Sequence, residues 1–236
     1  VTNWVLHALG QPLHAFDADR LAGSVLSVRH ARAGEALEVI DGSRHPLEPE
    51  DLVIADGEGP VAVAGVMGGR STEVTEATTR ILLEAACFDP LTVRRTSRRL
   101  KLASDSSYRF ERGVDAAGVE VASREAARLI LELAGGALRE GVVRTGPTPS
   151  PSRWVRMRPG RCNALLGLDL TPEAMMAYLA ALQLAPEMGP DQTIACRVPS
   201  FRGDIQREVD LIEEVARMHR FERVPVHERV SIVTRP

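Results

Sequence analysis

The sequence predicts an α+β fold in two parts: a sheet-rich mixed α/β domain over residues 1–146 and a small α+β, winged-helix-like domain over 151–226, with 227–236 starting a further segment. Three observations carry this. Residues 24–88 alternate apolar and polar side chains with period two, interrupted by turn residues, which is strand patterning. Residues 119–134 place Ala122, Ala126, Leu129, Ile130 and Leu133 on one helical face and end at Gly135-Gly136. Residues 145–152 read Thr-Gly-Pro-Thr-Pro-Ser-Pro-Ser, a linker composition that separates the two parts.

The chain has 236 residues, of which 44% are hydrophobic, 26% charged and 4% aromatic, enough for two cores and without a disorder signature. A net charge of −3 gives no global attraction to nucleic acid, so any such contact must come from a local patch. Cys87, Cys162 and Cys196 have no Cys-x-x-Cys spacing, which argues against a disulfide framework or a thiolate zinc site and fits a reducing cytosol. No apolar run is long enough to span a bilayer and no leader is evident, so a cytoplasmic protein without membrane contact is expected. The start at Val1, with structure already under way, reads as a piece of a longer chain.

Taken in order, a short apolar segment ends at Gly10, and Pro12 is expected to open a helical turn with His14 and Asp17 on one side. His14 reads either as a core or capping histidine or as a functional one. Strands are expected around 25–29, 37–40, 52–55, 61–64 and 81–87, with a hairpin turn at Asp41-Gly42. The run Gly65-Val-Met-Gly-Gly69 is a tight loop in which backbone approaches a neighbour closely; it lacks the Gly-Lys-Ser/Thr of a phosphate loop. Residues 81–88 read as a buried strand with Glu84 in its middle, a carboxylate that must meet an arginine or line a pocket.

Asp89-Pro90 starts a helix bearing Arg94, Arg95, Arg98 and Arg99 on one face, which serves RNA phosphates, partners Glu84, Asp105 and Glu111, or is simply solvated. Residues 100–114 fit neither a helix nor a strand: Ser104, Asp105, Ser106 and Ser107 favour local backbone bonds, and 108–112 alternates with period two. In the second part a strand over 154–157, helices over 159–166 and 171–182, a strand over 193–198 and a helix over 205–219 are expected. Asp210, Glu213 and Glu214 share one face of that last helix, with Asp204 near its start. They suit a hard cation such as magnesium or an ordinary solvated face.

Together, Val1-Thr-Asn, Gly10-Gln-Pro-Leu-His-Ala-Phe-Asp17, Ala64-Gly-Val-Met-Gly-Gly69, Leu82-Leu-Glu-Ala-Ala86, Tyr108-Arg-Phe-Glu-Arg-Gly-Val-Asp115, Pro199-Ser-Phe-Arg-Gly-Asp204 and Glu213-Glu-Val-Ala-Arg217 resemble the editing (B3/B4) and following B5 regions of the bacterial phenylalanyl-tRNA synthetase β subunit. The resemblance implies an aminoacyl-tRNA synthetase fragment whose editing pocket hydrolyses the ester of mischarged tyrosyl-tRNA(Phe). Ligation with ATP belongs to the α subunit of an α2β2 heterotetramer, and ATP is not bound here. It further implies that Glu84 receives the tyrosine hydroxyl, that His14 lies near the ester, and that Gly68 lets the aminoacyl group approach the backbone. Ser104 and Ser106 stand on the pocket wall where that family usually has threonine and alanine. Asp204, Asp210, Glu213 and Glu214 are implied β-side ligands of a magnesium ion shared with the α subunit. A module that binds RNA or a partner subunit without hydrolysis is the alternative reading.

Overall fold

The computed structural model describes residues 1–23, 25–147 and 152–225. It forms two compact units, residues 1–147 and 148–236. Most of the linker centre (148–151) and the tail segment 227–236 lie outside the described residues.

Unit 1 opens with helix α1 (Thr2–Leu9), closed by Gly10 in the left-handed region at φ 73°. The expected helical turn at Pro12 is instead strand β1 (Leu13–Asp17), which pairs antiparallel with β8 (Ile81–Ala85) in a two-stranded sheet. A β-ladder partner 64–72 positions away decides the conformation here, overriding the local proline signal. On one face of this ribbon Leu13 and Leu83 pack with Val5 of α1 and with Ala122, Ala126 and Leu129 of α4 (Val119–Ala134). Period two puts His14, Phe16, Glu84 and Leu82 on the other face.

A second, four-stranded antiparallel sheet runs in the order β2 (Ser27–His30), β5 (Leu52–Ala55), β6 (Pro60–Val63), β7 (Met67–Gly68). Strands β3 (Ala36–Glu38) and β4 (Arg44–Pro46) form a separate hairpin. Its Asp41-Gly42 turn is closed by Gly42 N–H donating to Val39 C=O at 2.9 Å and by Ser43 N–H donating to the Asp41 carboxylate at 2.8 Å. The core beneath consists of Phe16, Val39, Val53, Ile54, Val61, Val63, Val66, Phe88, Val93, Leu100 and Phe110 among others.

Helix α2 (Pro90–Leu100) begins where Asp89 accepts the Thr92 N–H at 2.8 Å, as the Asp-Pro signal requires. Its buried face, Val93, Thr96, Ser97 and Leu100, docks on the sheet. Asp51, only 2% exposed, is satisfied there by the Thr96 hydroxyl at 2.9 Å and by the Arg99 guanidinium, so Arg99 leaves the arginine face for a structural ion pair. Residues 100–114, expected to be irregular, contain helix α3 (Asp105–Phe110). The serines that disfavour a helix interior build its N-terminus: the Ser104 hydroxyl accepts the Ser107 N–H at 3.0 Å and the Ser107 hydroxyl accepts the Ser104 N–H at 2.9 Å. The strand over 81–88 is likewise corrected. It ends at Ala85, and Ile81 and Leu82 are exposed because a two-stranded ribbon covers only part of each strand.

Unit 2 holds a three-stranded antiparallel sheet in the order β10 (Pro186–Met188), β11 (Ile194–Val198), β9 (Arg153–Met157), with helices α5 (Pro159–Leu166), α6 (Pro172–Ala181) and α7 (Glu208–His219). Its core joins Met157, Met175, Leu179, Ile194, Leu211, Ile212 and Val215. The last helix starts three residues later than its sequence suggests. Asp210 accepts the N–H groups of Gln206 and Arg207 at 2.9 and 2.7 Å, and this cap sets its N-terminus.

Gly65 sits at φ 71°, and a Cβ there would lie 2.9–3.1 Å from Val93, Phe88 and Phe110. Gly65→Ala is therefore expected to cost about 1–3 kcal/mol through overpacking in a buried, left-handed position. Chemical denaturation reads this as a lowered midpoint; an unchanged midpoint contradicts the packing described.

Candidate aminoacyl pocket

One pocket of unit 1 is lined by Pro12, Leu13, His14, Ile54, Ala62, Val63, Gly65, Val66, Met67, Gly68, Glu84, Ser106 and Phe110. It joins the β1–β8 ribbon, the glycine loop with β6, and α3. Hydrogen bonds across these parts fix its shape. The Ser104 hydroxyl donates to Val66 C=O at 2.7 Å, tying the start of α3 to the glycine loop. The buried Gln11 amide donates to Ala86 C=O at 2.8 Å, tying the approach to β1 to the end of β8. Sequence reasoning did not single out Gln11. Its position just before the strand that carries His14 was the available signal.

His14 and Glu84 are direct cross-strand partners, so their side chains share one face of the ribbon. Glu84 has no ion-pair or hydrogen-bond partner among the described residues, and the arginines considered for it lie elsewhere. Of the two roles open to it, the structure gives the pocket. Burial alone pushes its carboxyl from an ordinary 4.5 up to about 7. Burial also lowers the His14 pKa, which keeps the ring neutral at physiological pH. The His14 ring stands edge-on to Phe16 with centroids 4.5 Å apart, and its Nε2 is buried without a partner. A neutral imidazole nitrogen of this kind presents either a proton or a lone pair to whatever enters.

Gly68 makes this ring position possible. A Cβ on Gly68 would stand 2.3 Å from His14 Cε1 and 2.7 Å from Nε2, so only glycine admits the ring at this depth. Ser106 and Ser104 part company. Ser106 lines the pocket half-buried and has no hydrogen-bond partner among the described residues, whereas the Ser104 hydroxyl is used for the α3 cap and the glycine loop, and Ser104 does not line the pocket. Beyond the pocket wall, Glu111 and Arg112 pair with each other at 2.5 Å, and Arg112 also lies 3.6 Å from the centroid of the Tyr108 ring. Chemically, the site is a short slot whose open surface is more polar than apolar, with a neutral imidazole, a carboxyl that titrates near 7 and one free hydroxyl. That suits an uncharged aromatic side chain carrying a hydrogen-bonding group.

The carboxylates of unit 2 differ in their surroundings. Glu214 is buried and paired with Arg202 and Arg217, Glu213 is exposed, and Asp210 caps α7. Arg202 Nη2 lies 2.7 Å from Asp204 Oδ2 and 2.8 Å from Glu214 Oε1, so these two carboxylates already converge on a cation, the guanidinium. Their hard oxygens fit a divalent ion in donor type. Among the described residues no group of three or more His, Cys, Asp or Glu side chains is placed to hold a metal, so outside ligands are needed to complete such a site.

Unit 1 is thus a mixed α/β domain with a small pocket between a β-ribbon, a glycine loop and a helix, and unit 2 is a small α+β module. The chain belongs to the B3/4 domain family, which it matches over residues 1–135, and residues 155–221 match the tRNA synthetase B5 domain. Similar curated proteins include the phenylalanine–tRNA ligase β subunits of Geobacter metallireducens (48% identical over 96% of this chain), Salinibacter ruber (45% over 100%) and Rhodopirellula baltica (48% over 95%). The chain spans 28%, 28% and 33% of their respective lengths. A crystal structure of an N-terminal fragment of the phenylalanyl-tRNA synthetase β subunit from Pyrococcus horikoshii aligns over 92% of this chain and 64% of its own, at 15% identity and a TM-score of 0.47.

Because the folded-state pKa of Glu84 lies above its unfolded value, the native state binds the extra proton between about 4.5 and 7. Stability from this group is present below that window and is lost as pH rises through it. Glu84→Gln, which stays neutral, is expected to flatten the fall in unfolding free energy between pH 5 and 7.5. Identical pH profiles for the two proteins contradict a protonated Glu84.

Proposed function

We propose that the chain is the editing part of a phenylalanine–tRNA ligase β subunit and hydrolyses the ester of tyrosyl-tRNA(Phe). The observation that carries this reading is the Glu84 carboxyl opposite the His14 Nε2 in one pocket, neither having a partner among the described residues. A tyrosine ring lying in the slot offers its hydroxyl to Glu84. Phenylalanine leaves that buried carboxyl without a partner, and discrimination of this kind can reach about 10⁴–10⁵. His14 then stands toward the ester, held at that depth because Gly68 lacks a side chain that would collide with its ring. Among the described residues no hydrogen-bonded Ser-His-Asp arrangement surrounds the slot, so in this reading the attacking group is a water held by His14, backbone groups and the substrate. Ser106 adds a hydroxyl to the wall and tunes the fit of the ring.

In this reading the ATP-driven ligation belongs to the α subunit, tRNA(Phe) is the shared substrate, and the assembly is an α2β2 heterotetramer in the cytoplasm. Asp204, Asp210, Glu213 and Glu214 would hold magnesium together with α-subunit groups, where the ion would neutralise their charge at the subunit contact. No step of ester hydrolysis runs through it. No helix among the described residues is long and apolar enough to cross a membrane.

In the assembled enzyme Glu84→Ala is expected to lower the rate of tyrosyl-tRNA(Phe) deacylation at least 100-fold while the far-ultraviolet circular dichroism stays that of the wild type. Deacylation at the wild-type rate overturns the assignment. Ser106→Ala is a milder probe, expected to change deacylation less than about tenfold and leave phenylalanylation untouched, because one wall hydroxyl contributes about 1 kcal/mol. If the wild-type assembly binds tRNA yet leaves mischarged tRNA intact, the non-hydrolytic module is the better reading.

A further inference from the structure

Helix α3, which lines the pocket, and helix α2, which packs against α3, carry a second pattern on their outer sides. Helix α2 turns Val93, Thr96, Ser97 and Leu100 inward, which leaves Arg94, Arg95 and Arg98 on its outer arc, all exposed. None of the three has an ion-pair partner among the described residues, unlike Arg99, which is held by Asp51 and Glu48. Within residues 89–101 there are five cations, including Lys101, and one carboxylate, Asp89, which caps the helix beside Arg95. This local excess stands against a chain whose net charge is −3.

Helix α3 adds an aromatic platform. Its inward residues Ser106 and Phe110 line the pocket, while Tyr108, two positions from each, is 57% exposed. The Arg112 guanidinium carbon lies 3.6 Å from the centroid of the Tyr108 ring and Arg112 is itself held by Glu111, while the tyrosine stays largely open to solvent. A rigid, exposed aromatic backed by arginine, with unpaired guanidiniums on the adjoining helix, is the combination that binds single-stranded nucleic acid: guanidiniums meet phosphates and the ring stacks on an unpaired base. A charge run alone is usually only solvated. The stacked Tyr108 on a helix shared with the pocket wall is what separates this surface from that case.

We propose that the outer face of α2 and α3 is an RNA-docking surface, with Arg94, Arg95 and Arg98 on backbone phosphates and one unpaired base stacked on Tyr108. It holds the single-stranded end of the RNA so that the attached aminoacyl group reaches the slot lined by Ser106, Phe110, His14 and Glu84. The choice of RNA as occupant rests on the editing reading; an acidic protein surface is the competing occupant.

The test uses the full-length subunit assembled with its partner and an acceptor-stem RNA hairpin with a single-stranded 3′ tail, read by fluorescence anisotropy across a salt series. Arg94→Gln/Arg95→Gln/Arg98→Gln is expected to weaken binding at low salt and to reduce the slope of log K against log[salt] by about 2, the signature of roughly three lost phosphate contacts. Tyr108→Ala is expected to weaken binding about 5- to 100-fold with the slope unchanged, as for loss of one stacked base. Both variants replace exposed side chains, and an unaltered thermal midpoint confirms that they fold. An unchanged slope and affinity in the triple variant overturn the proposal, as does impaired subunit assembly without any effect on RNA binding. The outcomes separate from the editing reading because anisotropy needs no hydrolysis. A wild type that deacylates alongside a triple variant with normal RNA binding defeats the surface and keeps the editing site; the reverse pattern keeps the surface and defeats the editing site.

Discussion

The structure of unit 1 depends on one pairing, the antiparallel register that sets His14 opposite Glu84 in a two-stranded ribbon. A ribbon of two strands is marginal alone, and here it persists because Leu13 and Leu83 bury one face against α1 and α4. The other face is thereby committed to the pocket. A one-residue slip would turn His14 and Glu84 toward the helices and Leu13 and Leu83 toward the slot, which costs both burial of apolar surface and a carboxyl trapped in a hydrophobic cluster. The register is thus held by packing on the side away from the chemistry.

The unpaired polar atoms of the pocket are an expense that the rest of the fold offsets. The buried His14 Nε2 has no partner among the described residues, against a general rule that buried polar groups are hydrogen-bonded, and the half-buried Glu84 carboxyl beside it has none either. Around them nearly everything is satisfied: Ser104 with Ser107 and Val66, Gln11 with Ala86, Asp51 with Thr96 and Arg99. Rigid walls around unsatisfied groups are what a binding site needs, because a ligand then gains hydrogen bonds without the protein having to reorganise.

How much of this was legible in the sequence follows from how local each signal is. Helix α4, the Asp89 cap of α2, the Asp41-Gly42 hairpin and the strands near 52–55 and 61–64 are dictated by nearby residues, and they stand where the patterns place them. Strand β1 was misread because its partner β8 lies far along the chain and outweighs Pro12. Helix α3 was misread because serines that oppose a helix interior promote a helix start, and the reciprocal Ser104–Ser107 bonds are a matter of position rather than composition. At the site, Glu84 announced itself as a carboxylate in an apolar run. That it meets no arginine, that Ser104 turns away from the pocket while Ser106 faces it, and that Asp204 and Glu214 converge on Arg202 are three-dimensional facts that no spacing encodes.

The central claim is that the His14–Glu84 slot reads an aromatic hydroxyl. Isothermal titration calorimetry of the protein with a non-hydrolysable amide linking tyrosine to adenosine, against the same amide of phenylalanine, tests it without relying on turnover. The account predicts that the tyrosyl compound binds at least 100-fold more tightly and that Glu84→Ala abolishes the difference. Equal affinity for the two compounds in the wild-type protein would contradict it.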